Sequence, residues 1–292
     1  MSFSSRRTFM KASGAFAAAA CAGVDQLAAK PSTMPIGLEL YSVRSLAPKD
    51  LDGTMAQVRA AGYTVVEAAG FYDRTAPDFR KAMDKAGLHC ISAHYTLALL
   101  RTQLDQLIDY AHGVGLEYMI CSSSGGQHRD PAAKGGPTLD DWHWIADQFN
   151  IVGKKVKAAG MIFGVHNHTP EFQVYDGVNT YDELLRLTDP KLVVFQMDVG
   201  WVSAAGRDPI EYLKKTPERF PLMHVKDVAR GDDGKFHSAV LGRGKMDYGP
   251  IMRAATGLKQ YFIEQEEFEM DPMEELRIEA EYMRKLNVRA AS

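Results

Sequence analysis

Three short apolar runs each end on a side chain that can bind a metal or move a proton: FQMD on Asp198, LMH on His224 and YFIE on Glu264. Two carboxylates and an imidazole from successive runs form a mixed nitrogen and oxygen donor set suited to a divalent ion. Two carboxylates that close would otherwise repel, and one would keep its proton; a cation removes that penalty. A fourth run, MIFGVHNH, carries His166 and His168. Strand period is two, so both point the same way if the run is a strand. Lys226 stands two after His224 with equal parity and suits the neutralisation of an alkoxide, a rim salt bridge being the other reading. Glu39 and Tyr41, Glu67 and His94 also lie at the ends of apolar runs, so seven of eight ends carry an ionisable group. Burying that many charges without a task is costly.

The runs that carry these residues span 36–42, 64–69, 88–95, 116–123, 161–168, 192–200, 221–227 and 261–265. They are short and rich in Val, Ile, Phe and Tyr, as strands buried on both faces are. Between them, apolar spacing near 3.6 predicts helices over 50–61, 77–86, 104–114, 139–159, 181–187, 209–215, 250–256 and 272–286. Gly62, Gly87, Gly115 and Gly160 supply stop signals, and Asp208-Pro209 and Asp271-Pro272 supply start signals. Eight strands alternating with eight helices predict a single-domain α/β fold, the (β/α)8 TIM barrel. The competing doubly wound open sheet would carry a Gly-rich phosphate turn after its first strand, and ELYSVRS has none. In a barrel, the strand C-termini form the rim where the active site is built.

The 292 residues are 46% apolar and 24% charged, ordinary for a globular chain, and the net charge of −3 argues against nucleic-acid binding. No interior apolar run approaches the ~20 residues of a membrane span. The start of the chain is different. Ser5-Arg6-Arg7-Thr8-Phe9-Met10-Lys11 precedes an Ala-rich apolar stretch without acids. It resembles a twin-arginine export signal, expected to occupy residues 1–29, with residues 30–292 as the barrel. The expected partners are then the twin-arginine (Tat) export machinery and a small carbohydrate, with a homo-oligomer left open, and the expected location is the periplasm. Cys90 and Cys121 fall inside apolar runs and read as buried free thiols.

GLELYSVR (37–44), GYTVVEAAGFY (62–72), HNHTPEF (166–172), MDVGWVSAAGRDPIEYLKK (197–215), FPLMHVKD (220–227), LGRGKMDY (241–248) and YFIEQEE (261–267) together resemble the sugar phosphate isomerase/epimerase family of xylose isomerase-like TIM barrels. That resemblance covers residues 36–286. It implies a divalent ion (Mn, Mg, Co or Zn) held by Asp198, His224 and Glu264 and by one ligand from the fifth strand. The better-known epimerases have a Glu there; the simplest alignment places Gly164 at that point and leaves His166, His168 and Glu171 as candidates, His168 being nearest the rim.

The implied reaction is isomerisation, epimerisation or elimination on a sugar, ketosugar or polyol derivative. It proceeds by proton abstraction to an enediolate that the ion stabilises. Glu264, His166, His168 and Lys226 are the expected acid–base groups. Glu67, His94 and Arg243 are expected to contact substrate, and Tyr41 and Trp201 to stack on an apolar sugar face. An oxidised, keto-type sugar or glycoside is the preferred substrate class. The competing functions are a hydrolase of the endonuclease-IV-like branch and a carbohydrate-binding barrel without catalysis. The long polar segment 228–248 is expected to be a substrate-contacting loop.

Overall fold

The computed structural model describes residues 34–124, 128–130 and 133–286; the twin-arginine segment lies outside these. Eight parallel strands close into a barrel in chain order. They are β1 (Gly37–Glu39), β2 (Val65–Ala68), β3 (His89–Thr96), β4 (Tyr118–Ser123), β5 (Ile162–His166), β6 (Val193–Asp198), β7 (Leu222–Val225) and β8 (Gln260–Ile263). Pairing runs all round the ring, with register shifts at Val66/Glu67 and at Tyr95/Thr96, and β8 pairs back on β1 through Gly37↔Phe262 and Leu38↔Ile263. The predicted strands are therefore all present, in the predicted architecture.

Side-chain alternation splits each strand between two cores. Outward residues such as Val66, Phe163, Phe195 and Met223 are buried under the helices in the main hydrophobic cluster. Val65, Tyr118, Ile120, Leu222 and Phe262 form a separate smaller cluster. Val65, Leu222 and Phe262 share parity with Glu67, His224 and Glu264, so they plug the barrel one layer beneath the polar rim.

Helix boundaries follow the local chemistry. Asp50 accepts from Gly53 N at 2.9 Å to start Leu51–Ala61, and Asp208 accepts from Ile210 N at 2.8 Å to start Pro209–Lys215. Thr138 and Asp141 form a reciprocal capping box on Leu139–Ala158. The helix predicted at 250–256 begins earlier, at Tyr248, because Asp247 caps it through Gly249 N. Two short α-helices were not expected, Leu97–Thr102 after β3 and Val199–Ala204 after β6. The segment after β7 also departs from expectation: Asp227–Arg230 and Phe236–Ala239 pair as an antiparallel hairpin. The thiols of Cys90 and Cys121 are free and buried, as expected.

Candidate metal centre

The barrel brings His166, Asp198, His224 and Glu264 together: one donor atom from each lies within 4.8 Å of all the others, and all four residues are buried. His166 closes β5 and Asp198 closes β6, while His224 stands next to last on β7 and Glu264 directly follows β8. Asp198 divides its carboxylate between two tasks. Its Oδ1 accepts from Trp201 N at 2.9 Å, capping Val199–Ala204, and its backbone N–H donates to Asn167 Oδ1 at 3.1 Å. Its Oδ2 accepts no hydrogen bond and lies 3.1 Å from Lys226 Nζ in an ion-pair contact.

Charge at the centre is balanced inside the protein. The fully buried Lys226 ammonium lies 2.9 Å from Glu264 Oε2 and also pairs with Glu266. The salt-bridge reading of Lys226 is thus met, by a buried network and not a single pair. Burial opposes its charge, but Asp198, Glu264 and Glu266 hold its pKa above the ordinary lysine value. His224 lies between two carboxylates, with Nδ1 2.9 Å from Glu264 Oε2 and Nε2 2.6 Å from Glu67 Oε1. Burial would depress its pKa; Glu264 and Glu67 override this and push it up to about 10. Burial would raise the Glu264 carboxyl, yet Lys226 and His224 hold it well below the usual range. Asp198 is raised, chiefly by burial. Burial, and then the neighbouring histidines, lower His166 well below the usual imidazole value, so it is neutral.

Two imidazoles and two carboxylates on one buried patch fit a divalent ion, and Asp198 Oδ2, which accepts no hydrogen bond and is met only by the Lys226 ammonium, is a donor atom for which an ion would compete with Lys226. Of the fifth-strand candidates, His166 is the one whose donor atom joins this group. Gly164 lies a layer below, where an added Cβ would come 2.6 Å from Ile120 Cδ1, so the alignment of Gly164 with the donor layer is corrected by two residues. His168 and Glu171 do not join the donor group. His168 is half-buried, 4.7 Å from the His166 ring centre, and its backbone N–H donates to Glu171 Oε2 at 2.8 Å. The other Glu171 oxygen accepts from Ser124 Oγ at 3.1 Å, so this carboxylate fastens the loop.

Beneath the quartet is a second layer built around Glu67. Glu67, expected to contact substrate, is wholly buried. Gln196 Nε2 donates to both its oxygens, at 2.9 and 2.8 Å, Ser92 Oγ donates to Oε2, and His94 Nε2 lies 3.0 Å from Oε1. Glu39 stands beside it, and burial, then Glu67, keeps the Glu39 carboxyl well above the usual range. Glu39, Glu67, His94 and His224 also place donor atoms within 4.8 Å of one another. Sequence reasoning passed over Gln196 and Glu266; parity with Asp198 and Glu264 was the available signal.

The remaining expected contacts scatter. Trp201 presents its ring to Lys226, Nζ lying 4.7 Å from the centroid. Tyr41 is 42% exposed with Arg44 stacked on it. Arg243 is exposed and lines a 490 Å³ cavity with Arg230, His237, Gln265 and Phe268, between the hairpin and the segment after β8.

Comparison with known proteins agrees with this architecture. The inosose dehydratase of Geobacillus thermodenitrificans (strain NG80-2) is 26% identical over 250 residues, covering 75% of this chain and 82% of the relative. A sugar phosphate isomerase/epimerase from Parabacteroides distasonis ATCC 8503 superposes with a TM-score of 0.73 at 25% identity, covering 91% of this chain and 99% of the other. A xylose isomerase-like TIM barrel protein from Mycobacterium smegmatis, solved in complex with magnesium, superposes with a TM-score of 0.65 at 16% identity, covering 88% and 97%. The sequence profile described as xylose isomerase-like TIM barrel matches residues 55–286, and the chain belongs to that family.

Proposed function

We propose that this protein is a divalent-metal-dependent enzyme acting on a keto-type carbohydrate, and that elimination of water from a cyclic polyol ketone is its foremost reaction, with epimerisation or isomerisation as relatives of the same chemistry. The observation that carries the reading is the buried quartet of His166, Asp198, His224 and Glu264. The likeness to an inosose dehydratase over most of both chains supports elimination over the other two outcomes.

A divalent ion held by the quartet would supply Lewis-acid polarisation of a carbonyl and its neighbouring hydroxyl. The protein's own residues handle the protons. His168 is half-buried and neutral, since burial lowers its pKa, and it stands next to the quartet. It accepts the proton from the carbon beside the carbonyl. Lys226, charged and held between Asp198 and Glu264, donates to the departing hydroxyl, which leaves as water. Proton exchange with solvent then resets both groups. If no hydroxyl is expelled, return of a proton to the other face gives the epimer. Trp201 covers the Lys226 side and restricts water there. Export by the twin-arginine route, supported by Arg6-Arg7 and the Ala-rich stretch, argues for a substrate without a phosphate.

The test is metal analysis of the purified protein, followed by incubation of cyclic and open-chain keto sugars in deuterated water. The expected result is bound divalent metal, exchange or loss of one C–H, and abolition of both by Asp198→Ala. Bound metal without exchange on any keto sugar would favour the carbohydrate-binding reading. Full metal content in both Asp198→Ala and His224→Ala would overturn the site.

A further inference from the structure

Glu67 is met by four side chains, Gln196, Ser92, His94 and His224, and the directions of these hydrogen bonds carry information. A carboxylate only accepts, so the Gln196 atom 2.9 and 2.8 Å from its oxygens is the amide nitrogen. The orientation of Gln196 is thereby fixed, and its Oε1 faces the other way. That oxygen lies 2.8 Å from His94 Nε2 and 3.1 Å from His166 Nδ1. An amide oxygen also only accepts, so both ring nitrogens must carry hydrogen. His166, with its hydrogen on Nδ1, leaves Nε2 bare. Glu67 acts on His224 directly: its Oε1 accepts from Nε2 at 2.6 Å, so the nitrogen able to give up hydrogen is Nδ1, on the Glu264 side.

We propose that Glu67 and Gln196 act as a positioning pair that dictates which ring nitrogen of His166 and of His224 keeps its hydrogen, and so which nitrogen can ligate. His166 then keeps a bare Nε2 for ligation, while His224, which carries hydrogen on both nitrogens in the metal-free protein, can yield a ligating nitrogen only at Nδ1, on the Glu264 side. This rests on the metal reading for its consequence but not for the hydrogen positions themselves. Carboxylate and amide partners of ligating histidines commonly have this effect, and their loss weakens metal binding by about 10–100-fold.

Glu67→Gln separates this role from mere filling of the core. Its carboxamide is isosteric, but the NH₂ group falls where Glu67 Oε2 now accepts from Gln196. The oxygen that remains, at the Oε1 position, is already shared by His224 and His94, so Gln196 Nε2 loses its unshared acceptor and meets an N–H; Gln196 turns over and donates to His166 Nδ1. The His166 hydrogen then moves to Nε2, the ligating nitrogen. Exchanging the two groups, Glu67→Gln with Gln196→Glu, restores an acceptor opposite His166 Nδ1.

The experiment labels histidine with ¹⁵N in the metal-free protein, reads the His166 tautomer from two- and three-bond ring correlations, and separately titrates Mn²⁺ and Zn²⁺ against a chelator. The expected result is Nδ1–H in the wild type, Nε2–H with about 10–100-fold weaker metal binding in Glu67→Gln, and return of both to within about threefold of wild type in the exchanged pair. An unchanged His166 tautomer in Glu67→Gln, or failure of the exchanged pair to restore it, overturns the proposal. If Glu67→Gln does not fold, the exchanged pair decides alone, Nδ1–H supporting the assignment and Nε2–H refuting it. Tautomers that behave as expected in a protein that binds neither metal leave the pair standing and remove the metal reading instead.

Discussion

Lys226→Met removes the one ammonium that serves Asp198, Glu264 and Glu266 while keeping most of the side-chain volume. In the metal-free protein the Lys226 nitrogen lies 3.1 Å from Asp198 and 2.9 Å from Glu264, and both carboxylates are buried. Deleting one partner of a buried ion pair costs about 3–5 kcal/mol, because the charge left behind has neither solvent nor partner. For a barrel of this size each kcal/mol moves the melting temperature by roughly 2–4 °C, so the metal-free variant should melt about 6–20 °C below wild type. A divalent ion would neutralise the same two carboxylates. With Mn²⁺ present at ~100 times its Kd, the gap should close to less than about half, because the variant gains more from the ion than wild type, in which Lys226 competes for those oxygens. Scanning fluorimetry of both proteins, with chelator and with Mn²⁺, makes the comparison. Equal losses in both conditions would show that Lys226 and the ion do not share Asp198 and Glu264.

Three other outcomes follow from the same geometry. His224 has a folded pKa of about 10 against an ordinary 6.5, so its proton contributes stability that is full below about 6.5 and is lost as pH rises through 10. Metal binding at Nδ1 displaces that proton, so affinity should rise about tenfold per pH unit between 7 and 9; a flat competition titration would contradict it. Gly164→Ala should cost about 1–3 kcal/mol by pressing on Ile120 while leaving metal content intact, and His166→Ala should do the reverse; metal loss in Gly164→Ala would return Gly164 to the donor layer. Replacing Arg6 and Arg7 by lysine should hold the protein in the cytoplasm, as fractionation and immunoblotting would show, and undiminished export would remove the twin-arginine reading.

The sequence makes the barrel and three of the four quartet members legible for one reason. Apolar runs that end abruptly in Asp, His or Glu leave few places for the charge except the rim. Depth along a strand is harder to read. Gly164, His166 and His168 share parity, so period two alone does not say which reaches the donor layer; the donor-atom distances do, with His166 beside Asp198, His224 and Glu264 although its strand partner on β6 is Gln196. Gln196 escaped because a neutral amide inside FQMD reads as strand filler, and its importance comes from Glu67, 129 residues away in the chain. Val199–Ala204 escaped because six residues are too few for a helical period, and its capping Asp198 was already read as a ligand. Arg243 rests on loop position, which fixes no direction for an exposed side chain, and Tyr41 on the end of the first apolar run, whereas the strand stops at Glu39 and Tyr41 falls in the following turn, Leu40–Val43.

Asp227 gives the segment after β7 an unusual mechanical layout. Its Oδ1 accepts from Val228 and Met246 N–H, both at 2.9 Å, and its Oδ2 from Gly242 at 2.9 Å and Gly244 at 3.0 Å. An added Cβ on Gly244 would collide with that carboxylate, so the close approach requires glycine there. One side chain thus clamps the base of the excursion, and the tip, residues 232–235, lies in solvent beyond it. Lys226 and His224 sit on the barrel side of the clamp. Insertions or wholesale exchange at the tip would be mechanically insulated from the ion-binding layer, which makes this turn a natural graft point for altering substrate preference while the centre stays as built.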